Sequence, residues 1–247
     1  MLIFPTYQTL LAKTAATSSG GGIITSNLVL HLDAGDNSSY AGSGDTWYDL
    51  TSGNHDVTLL NSPTYSSTSG DGSFEFSGGS DHGTIPDDTD FLMGTGSFTE
   101  EAWHKHDGTT GFQGSMTRGQ FSSLSWGGLW ILGGYFYPYH ISESGSALYE
   151  NTGESVGTDW VHHVVTTENT GSSVIVKVYK NNSLVTTKTH NSSSWQPKHT
   201  SVGTSTKLYI ANAYDGEIAI VRLYKGKALT SSEVTTNWNV DKTRFGH

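Results

Sequence analysis

From Leu28 onward the chain consists of short segments with two-residue periodicity, each cut off by Gly, Asn, Asp or Ser before a helical repeat can develop. In Val174-Ile175-Val176-Lys177-Val178-Tyr179, the three valines fall on one face, and Ile175, Lys177 and Tyr179 fall on the other. Asn181-Asn182 then supplies a tight turn, and Leu184-Val185-Thr186-Thr187-Lys188 returns as the second arm of a hairpin. Residues 28–32, 73–76, 97–103, 161–167, 207–210 and 217–224 have the same texture. Many short strands between turn signals predict an all-β chain built as an antiparallel sandwich or barrel. The only helix signal is Ser231-Ser232-Glu233-Val234, one short turn with hydroxyl residues as caps.

At 247 residues the chain matches a single large β-sandwich, and 34% apolar residues suffice for a core. It contains no cysteine, so disulfides, thiolate metal sites and a cysteine nucleophile are excluded. The net charge is −10, and the 13 Lys and Arg residues form no stripe that would neutralise phosphates, which argues against nucleic acid as a partner. No apolar stretch approaches the length of a membrane span, so no membrane partner is expected. Met1-Leu2-Ile3-Phe4-Pro5 lacks a basic n-region and breaks at the proline, so no signal peptide is read.

Residues 1–26 differ from the rest: an apolar start, small residues over 14–19, then Gly20-Gly21-Gly22 as a flexible joint. The organisation expected is an extended N-terminal arm and hinge over 1–26 and one folded domain over 27–247. Leu2, Ile3, Phe4, Leu10 and Leu11 are the apolar anchors with which the arm would dock on a neighbouring subunit, unless residues 1–12 pack on their own domain.

Three separated groups of residues carry a family resemblance. The first runs from Phe76-Ser77-Gly78-Gly79-Ser80-Asp81 and Ile85-Pro86 to Gly96-Ser97-Phe98-Thr99 and Ala102-Trp103. The second is Trp160-Val161-His162-His163-Val164 with Tyr179-Lys180-Asn181-Asn182-Ser183-Leu184-Val185. The third is Asp215-Gly216-Glu217-Ile218, Val221-Arg222-Leu223-Tyr224 and Ala228-Leu229-Thr230 through Glu233. In this order they resemble laminin-G-like domains, which have a concanavalin-A-like jelly roll of two antiparallel sheets. The opening Leu28-Val29-Leu30-His31-Leu32-Asp33-Ala34-Gly35-Asp36 and the closing Asn237-Trp238-Asn239-Val240 are similar to such modules in virion structural proteins of tailed bacteriophages.

That resemblance implies a non-enzymatic capsid decoration or fibre-type subunit on the virion surface. Its partners would be other virion proteins and further copies of itself. Absence of cysteine suits assembly in a reducing cytoplasm. The alternative is a carbohydrate-binding adhesin that reads a host surface glycan, because one sandwich serves many roles.

Glucanase relatives carry an E-x-D-x-E type run on one strand, and none is present here. Glu100 and Glu101 are adjacent, so they point to opposite faces of a strand and cannot act as a catalytic pair. One is expected to face solvent and the other to lie at a strand edge. His104 and His106 share a strand face like an H-x-H ligand pair, but no third ligand is identifiable and His162-His163 matches a packing position. The family often holds a structural calcium between the opening loop and an Asp of the closing strand. Here Ala219 stands at that Asp position, and Asp33, Asp36, Asp49, Asn54 and Asp56 are left as oxygen donors for calcium, or as solvated turn caps. The aromatic stretch 126–139 predicts Trp130 and Leu132 in the core, with Tyr135, Tyr137 and Tyr139 sharing an outward face as ligand or interface contacts.

Overall fold

A computed structural model describes residues 22–107, 111–118, 127–141, 147–149, 152–191 and 207–247. The anchors Leu2, Ile3, Phe4, Leu10 and Leu11 lie outside the described residues. The described strands are β1 (Leu28–Asp33), β2 (Thr46–Trp47), β3 (Val57–Leu60), β4 (Thr64–Ser66), β5 (Ser73–Ser77), β6 (His82–Ile85), β7 (Phe98–His106), β8 (Phe112–Arg118) and β9 (Gly127–Leu132). They continue with β10 (Tyr135–Phe136), β11 (Tyr139–Ile141), β12 (Ala147–Tyr149), β13 (Trp160–Asn169), β14 (Val174–Lys180), β15 (Ser183–His190), β16 (Leu208–Asn212) and β17 (Asp215–Lys225).

The strands form two sheets, and every pairing is antiparallel. The first sheet has the order β15-β14-β13-β7-β17-β5-β4, with β1 also on β17. The second has the order β12-β11-β9-β8-β16-β6-β3-β2, with β10 also on β9. The sandwich expected from the sequence is therefore present. Leu30, Leu32, Phe74, Phe76, Phe98, Ile131, Phe136, Val165, Ile210 and Ile218 meet in one buried cluster. Large aliphatic and aromatic side chains each gain about 1.5–3 kcal/mol from such burial, and this packing holds a chain without disulfides together.

Val174, Val176 and Val178 are buried while Ile175 and Lys177 are only partly covered, as their alternation requires. Asn181 (φ 48°) and Asn182 (φ 66°) both occupy the left-handed region, the conformation a two-residue hairpin turn needs and asparagine tolerates. Gly128 (φ 146°) is obligatory for another reason. A Cβ there would run into the Met116 carbonyl of the paired strand.

Two features go beyond the sequence expectation. The short turn at Ser231 is an 11-residue helix, α1 (Ser231–Asp241), whose cap is Thr230 in a reciprocal capping box with Glu233. The helix and the 3-10 turn Lys242–Phe245 cover the outer face of the first sheet, where Trp103, Ala219 and Ile220 pack with Phe245, Trp160 and Trp238. A β-bulge in β17 between Ile218 and Ile220 shifts the register, so Ile218, Val221 and Leu223 face the interior while Ile220, Arg222 and Tyr224 face α1. The chain before β1 is already fastened to this layer. The Ile24 amide donates to Asn237 Oδ1 at 2.9 Å, and the Tyr224 hydroxyl donates to the Ile24 carbonyl at 3.0 Å.

Candidate functional site

Strand β7 lies between β13 and β17, and both its faces are covered. Glu100 and Glu101 do point to opposite faces, but both are buried, which corrects the expectation of a solvent-facing acid. Glu100 turns into the sandwich, with Oε2 3.0 Å from His140 Nε2 of β11. Glu101 turns outward beneath α1. There its carboxylate accepts from Arg222 (2.7 Å) and Asn237 (2.7 Å) and lies 2.9 Å from His162 Nε2, while Arg222 also donates to Asp241 (2.6 Å). Burial alone would raise the Glu101 carboxyl, but Arg222 and the hydrogen bonds outweigh it and hold the group at about 2. Sequence periodicity could not foresee the covering because α1 arrives from more than 100 residues away. Two carboxylates sealed on opposite sides of one strand cannot flank a glycosidic bond.

The histidine pair at 104 and 106 gains a neighbour from β13. His104 Nε2 lies 2.7 Å from His163 Nδ1, and His106 Nε2 lies 3.0 Å from Gln113 Oε1. The His163 ring stacks on Phe136 at 3.7 Å. His163 thus packs, as its strand position suggested, and also supplies the imidazole partner that sequence reasoning missed. Parity shows which residues share a face, whereas the diagonal neighbour depends on the register between β7 and β13. Burial pushes His104 down to about 3 and His163 well below its ordinary value.

Each of the candidate calcium donors makes a hydrogen bond within the chain. Asp33 is committed to a cation that the chain itself supplies: Arg244 Nη1 donates to its carboxylate at 2.6 Å, and the same guanidinium donates to the carbonyls of Gly70 and Gly72. Asp36 caps the Ser38 amide (2.7 Å). Both oxygens of Asp49 are occupied, by the amides of His31 and Thr51 on one side and by the Thr51 hydroxyl and the His55 amide on the other. Asp56 accepts from the Asp49 amide (3.0 Å), and Asn54 donates to the Ser52 carbonyl (3.1 Å). Ala219 is buried and offers no side-chain oxygen. In this structure the carboxylates of Asp36, Asp49 and Asp56 cap backbone amides of turns and strands. Among the described residues, the ligand atoms that do converge belong to His55, Asp88 and Asp90, within 4.8 Å of one another. A direct His55–Asp90 contact of 3.1 Å and the capping of the Asp90 amide by Asp88 account for that grouping.

A solvent-accessible cleft opens at one end of the sandwich, where β8 begins and β16 turns into β17. Its volume is about 280 Å³, and Ser77, Gly78, Phe112, Gln113, Ala213 and Asp215 line it. Asp215 also borders an adjoining hollow of about 170 Å³ with Glu75, Lys105, Asp107 and Glu217. Gln113 Oε1 accepts from the Asp215 amide (2.9 Å), and this bond ties the two rims together. Phe112 is directly opposite Leu132 in the β8–β9 pair, and Leu132 is directly opposite Tyr135 in the β9–β10 pair. The three side chains therefore share the outer face of the second sheet beside the cleft. Tyr135 is 49% exposed and Leu132 40% exposed.

This corrects the expectation of a core Leu132. It ends its strand at the Gly133-Gly134 turn, on the face opposite to that of Ile131 and Phe136, which fill the interior. Trp130 is buried as expected. Tyr137 and Tyr139 are half-buried and alternate with the buried Phe136, Pro138 and His140, while Tyr135 is exposed. Phe112 was missed because nothing in its own segment ties it to Tyr135. Only the β8–β9–β10 register does so.

The family model described as the concanavalin A-like lectin/glucanases superfamily matches residues 77–235. No curated protein matches the chain in sequence. Among solved structures, the binding domain of Paraclostridial Mosquitocidal Protein 1 superposes with a TM-score of 0.66 at 13% identity, covering 87% of this chain and 52% of that one. The receptor binding domain of botulinum neurotoxin D gives 0.62 at 10% identity, with the same coverages. A Trypanosoma rangeli sialidase in complex with sialic acid gives 0.63 at 16% identity, covering 92% of this chain and 35% of that one. The chain thus spans about half of the toxin binding domains, and at these identities the likeness is one of fold.

Proposed function

Because the chain belongs to the concanavalin A-like lectin/glucanases superfamily, we propose that it is a non-enzymatic carbohydrate-binding module whose site is the cleft at Phe112, Gln113 and Asp215 together with the Tyr135 ribbon. The observation that carries this reading is the exposed Leu132 and Tyr135, with the half-buried Phe112 on the same face, beside an amide- and carboxylate-lined hollow. Sugars present an apolar C–H face and a rim of hydroxyls. Aromatic rings take the former at little entropic cost, and carboxylates and amides bond the latter. A similar fold serves as the receptor binding domain of botulinum neurotoxin D, and another as the binding domain of Paraclostridial Mosquitocidal Protein 1, which supports a recognition role. Burial of Glu100 and Glu101 on opposite faces of β7 supports binding without hydrolysis. A glycan array read with Tyr135→Ala and Tyr137→Ala beside the parent chain tests the reading. Tyr135→Ala should lose at least about fivefold in affinity with an unchanged unfolding midpoint, since one buried aromatic contact is worth about 1–3 kcal/mol. Absence of any glycan ligand for the parent chain would defeat it.

A second reading concerns where the module sits. Its opening and closing motifs resemble those of tailed-phage virion proteins, which supports placing it on a virion surface as a decoration or fibre-type subunit in several copies. On this reading residues 1–26 attach it to capsid or tail proteins. Deletion of residues 1–22 should leave a folded domain that no longer co-purifies with particles, and retention on particles would contradict the arm's role.

A further inference from the structure

The interior of the sandwich holds a titratable pair that binding does not use. His104 and His163 are joined by a 2.7 Å hydrogen bond, and neither other ring nitrogen, His104 Nδ1 nor His163 Nε2, has a hydrogen-bond partner among the described residues. Both rings are buried. Phe136 lies flat on His163, with ring centroids 3.7 Å apart and planes at 10°, and it meets His104 edge-on at 6.3 Å. Phe136 is also the inward anchor of the short strand β10, whose outward residue is Tyr135.

We propose that the His104–His163 pair is an acid-sensitive latch. Protonation of the pair undocks Phe136 and the ribbon bearing Tyr135 and Tyr137, so the module releases its ligand in mild acid. The ligand half of this inference rests on the carbohydrate-binding reading above.

The surroundings explain why an added proton is not tolerated in the closed form. The pair already shares one proton along its hydrogen bond, so another must go to a ring nitrogen that faces no acceptor. From β7 itself His106 adds to the positive side, and from β13 His162 does the same. From β14, Lys180 is directly opposite His163 in the ladder and also opposes a positive charge there. From the β16–β17 turn, Tyr214 stacks on His104 at 5.8 Å, and burial keeps its hydroxyl protonated. The carboxylate four positions along β7 on the same face, Glu100, points at His140 of β11. A buried cation without a counter-charge or hydrogen bond must reach water, and the group shifts its equilibrium to do so.

The ribbon offers the easiest route. Strands β7 and β13 are long and internal, whereas β10 has two residues, pairs with β9, and is tied to residues 152–156 by a few bonds such as Phe136 N–H to the Glu154 carbonyl (3.0 Å). The sign follows from linkage. Above the ordinary histidine value of 6.5 the pair is neutral whether open or closed, so the closed form carries no penalty. As pH falls below 6.5 toward about 3, the open form binds protons that the closed form rejects. The opening equilibrium should therefore rise about tenfold per pH unit for each histidine that titrates.

The test is amide hydrogen exchange of residues 134–139 between pH 7 and pH 5, corrected for intrinsic rates, with β14 and β15 as the internal reference. Binding of the best array glycan is measured over the same range. The ribbon should lose protection at least about tenfold more than the reference segment, and affinity should fall in parallel. The double substitution His104→Leu/His163→Phe should flatten both profiles. If that variant does not fold, the parent chain still decides. A ribbon whose corrected protection is flat relative to β14–β15 overturns the latch, and glycan affinity that holds while the ribbon opens overturns its coupling to release. If no glycan binds at any pH, the functional reading fails, and the exchange profile alone judges the latch.

Discussion

Arg222→Met should destabilise the fold by about 3–5 kcal/mol at pH 7, measured by urea unfolding, because it leaves Glu101 and Asp241 buried without their cation. The arginine is wholly enclosed between the first sheet and α1 and donates to both carboxylates. The loss measures the orphaned acids and not the worth of the pair, so adding Glu101→Gln to Arg222→Met should recover part of the stability. A second signature separates this network from simple packing. The Glu101 carboxyl is held at about 2 against a reference value of 4.5, so its contribution is complete above 4.5 and disappears as pH falls through about 2. That window corresponds to about 3 kcal/mol of acid-dependent stability in the parent chain. In Arg222→Met the same stretch of pH should show a flat or inverted slope, since protonation then relieves the buried charge. An unchanged slope would mean that Arg222 is not the group holding Glu101 ionised.

Trp103→Ala should cost a similar amount, about 3–5 kcal/mol, and should act first on the C-terminal layer. The indole is fully buried in a stack, with ring centroids 4.2 Å from Phe245, 4.8 Å from His162 and 5.2 Å from Trp238. Truncation leaves a cavity under α1 that neither the bulge at Ala219 nor the helix can close without moving. Urea unfolding gives the energy. Amide exchange should show residues 231–245 losing protection more than β14 and β15. Equal loss in both places would show that the helix and the sheets open as one unit, contrary to a separately peelable layer.

These two residues mark the border between what is legible in the amino-acid order and what is not. Val174, Val176 and Val178 reveal strand β14 and its inward face, Asn181-Asn182 reveals the turn, and adjacency alone places Glu100 and Glu101 on opposite sides. Each is a local fact, decided by bond geometry over a few residues. The tyrosines at 135, 137 and 139 alternate with buried Phe136 and His140 for the same reason. Errors arose where a residue's surroundings come from a distant part of the chain. Glu101 is enclosed because α1 returns over β7. Asp33 meets Arg244, 211 positions away, and its Oδ1 accepts from that guanidinium. Leu132 is exposed because β9 ends where the outer face is open.

By itself, then, the order of residues determined the longer strands, the inward face of β14, its hairpin turn and the all-β class, because periodicity and turn stereochemistry act within a few bonds. The tertiary structure alone decided which polar groups are sealed, which cation meets which acid, and which of the aromatic residues border the cleft. Burial and pairing depend on register between strands and on layers folded back from far away, and no local pattern encodes them.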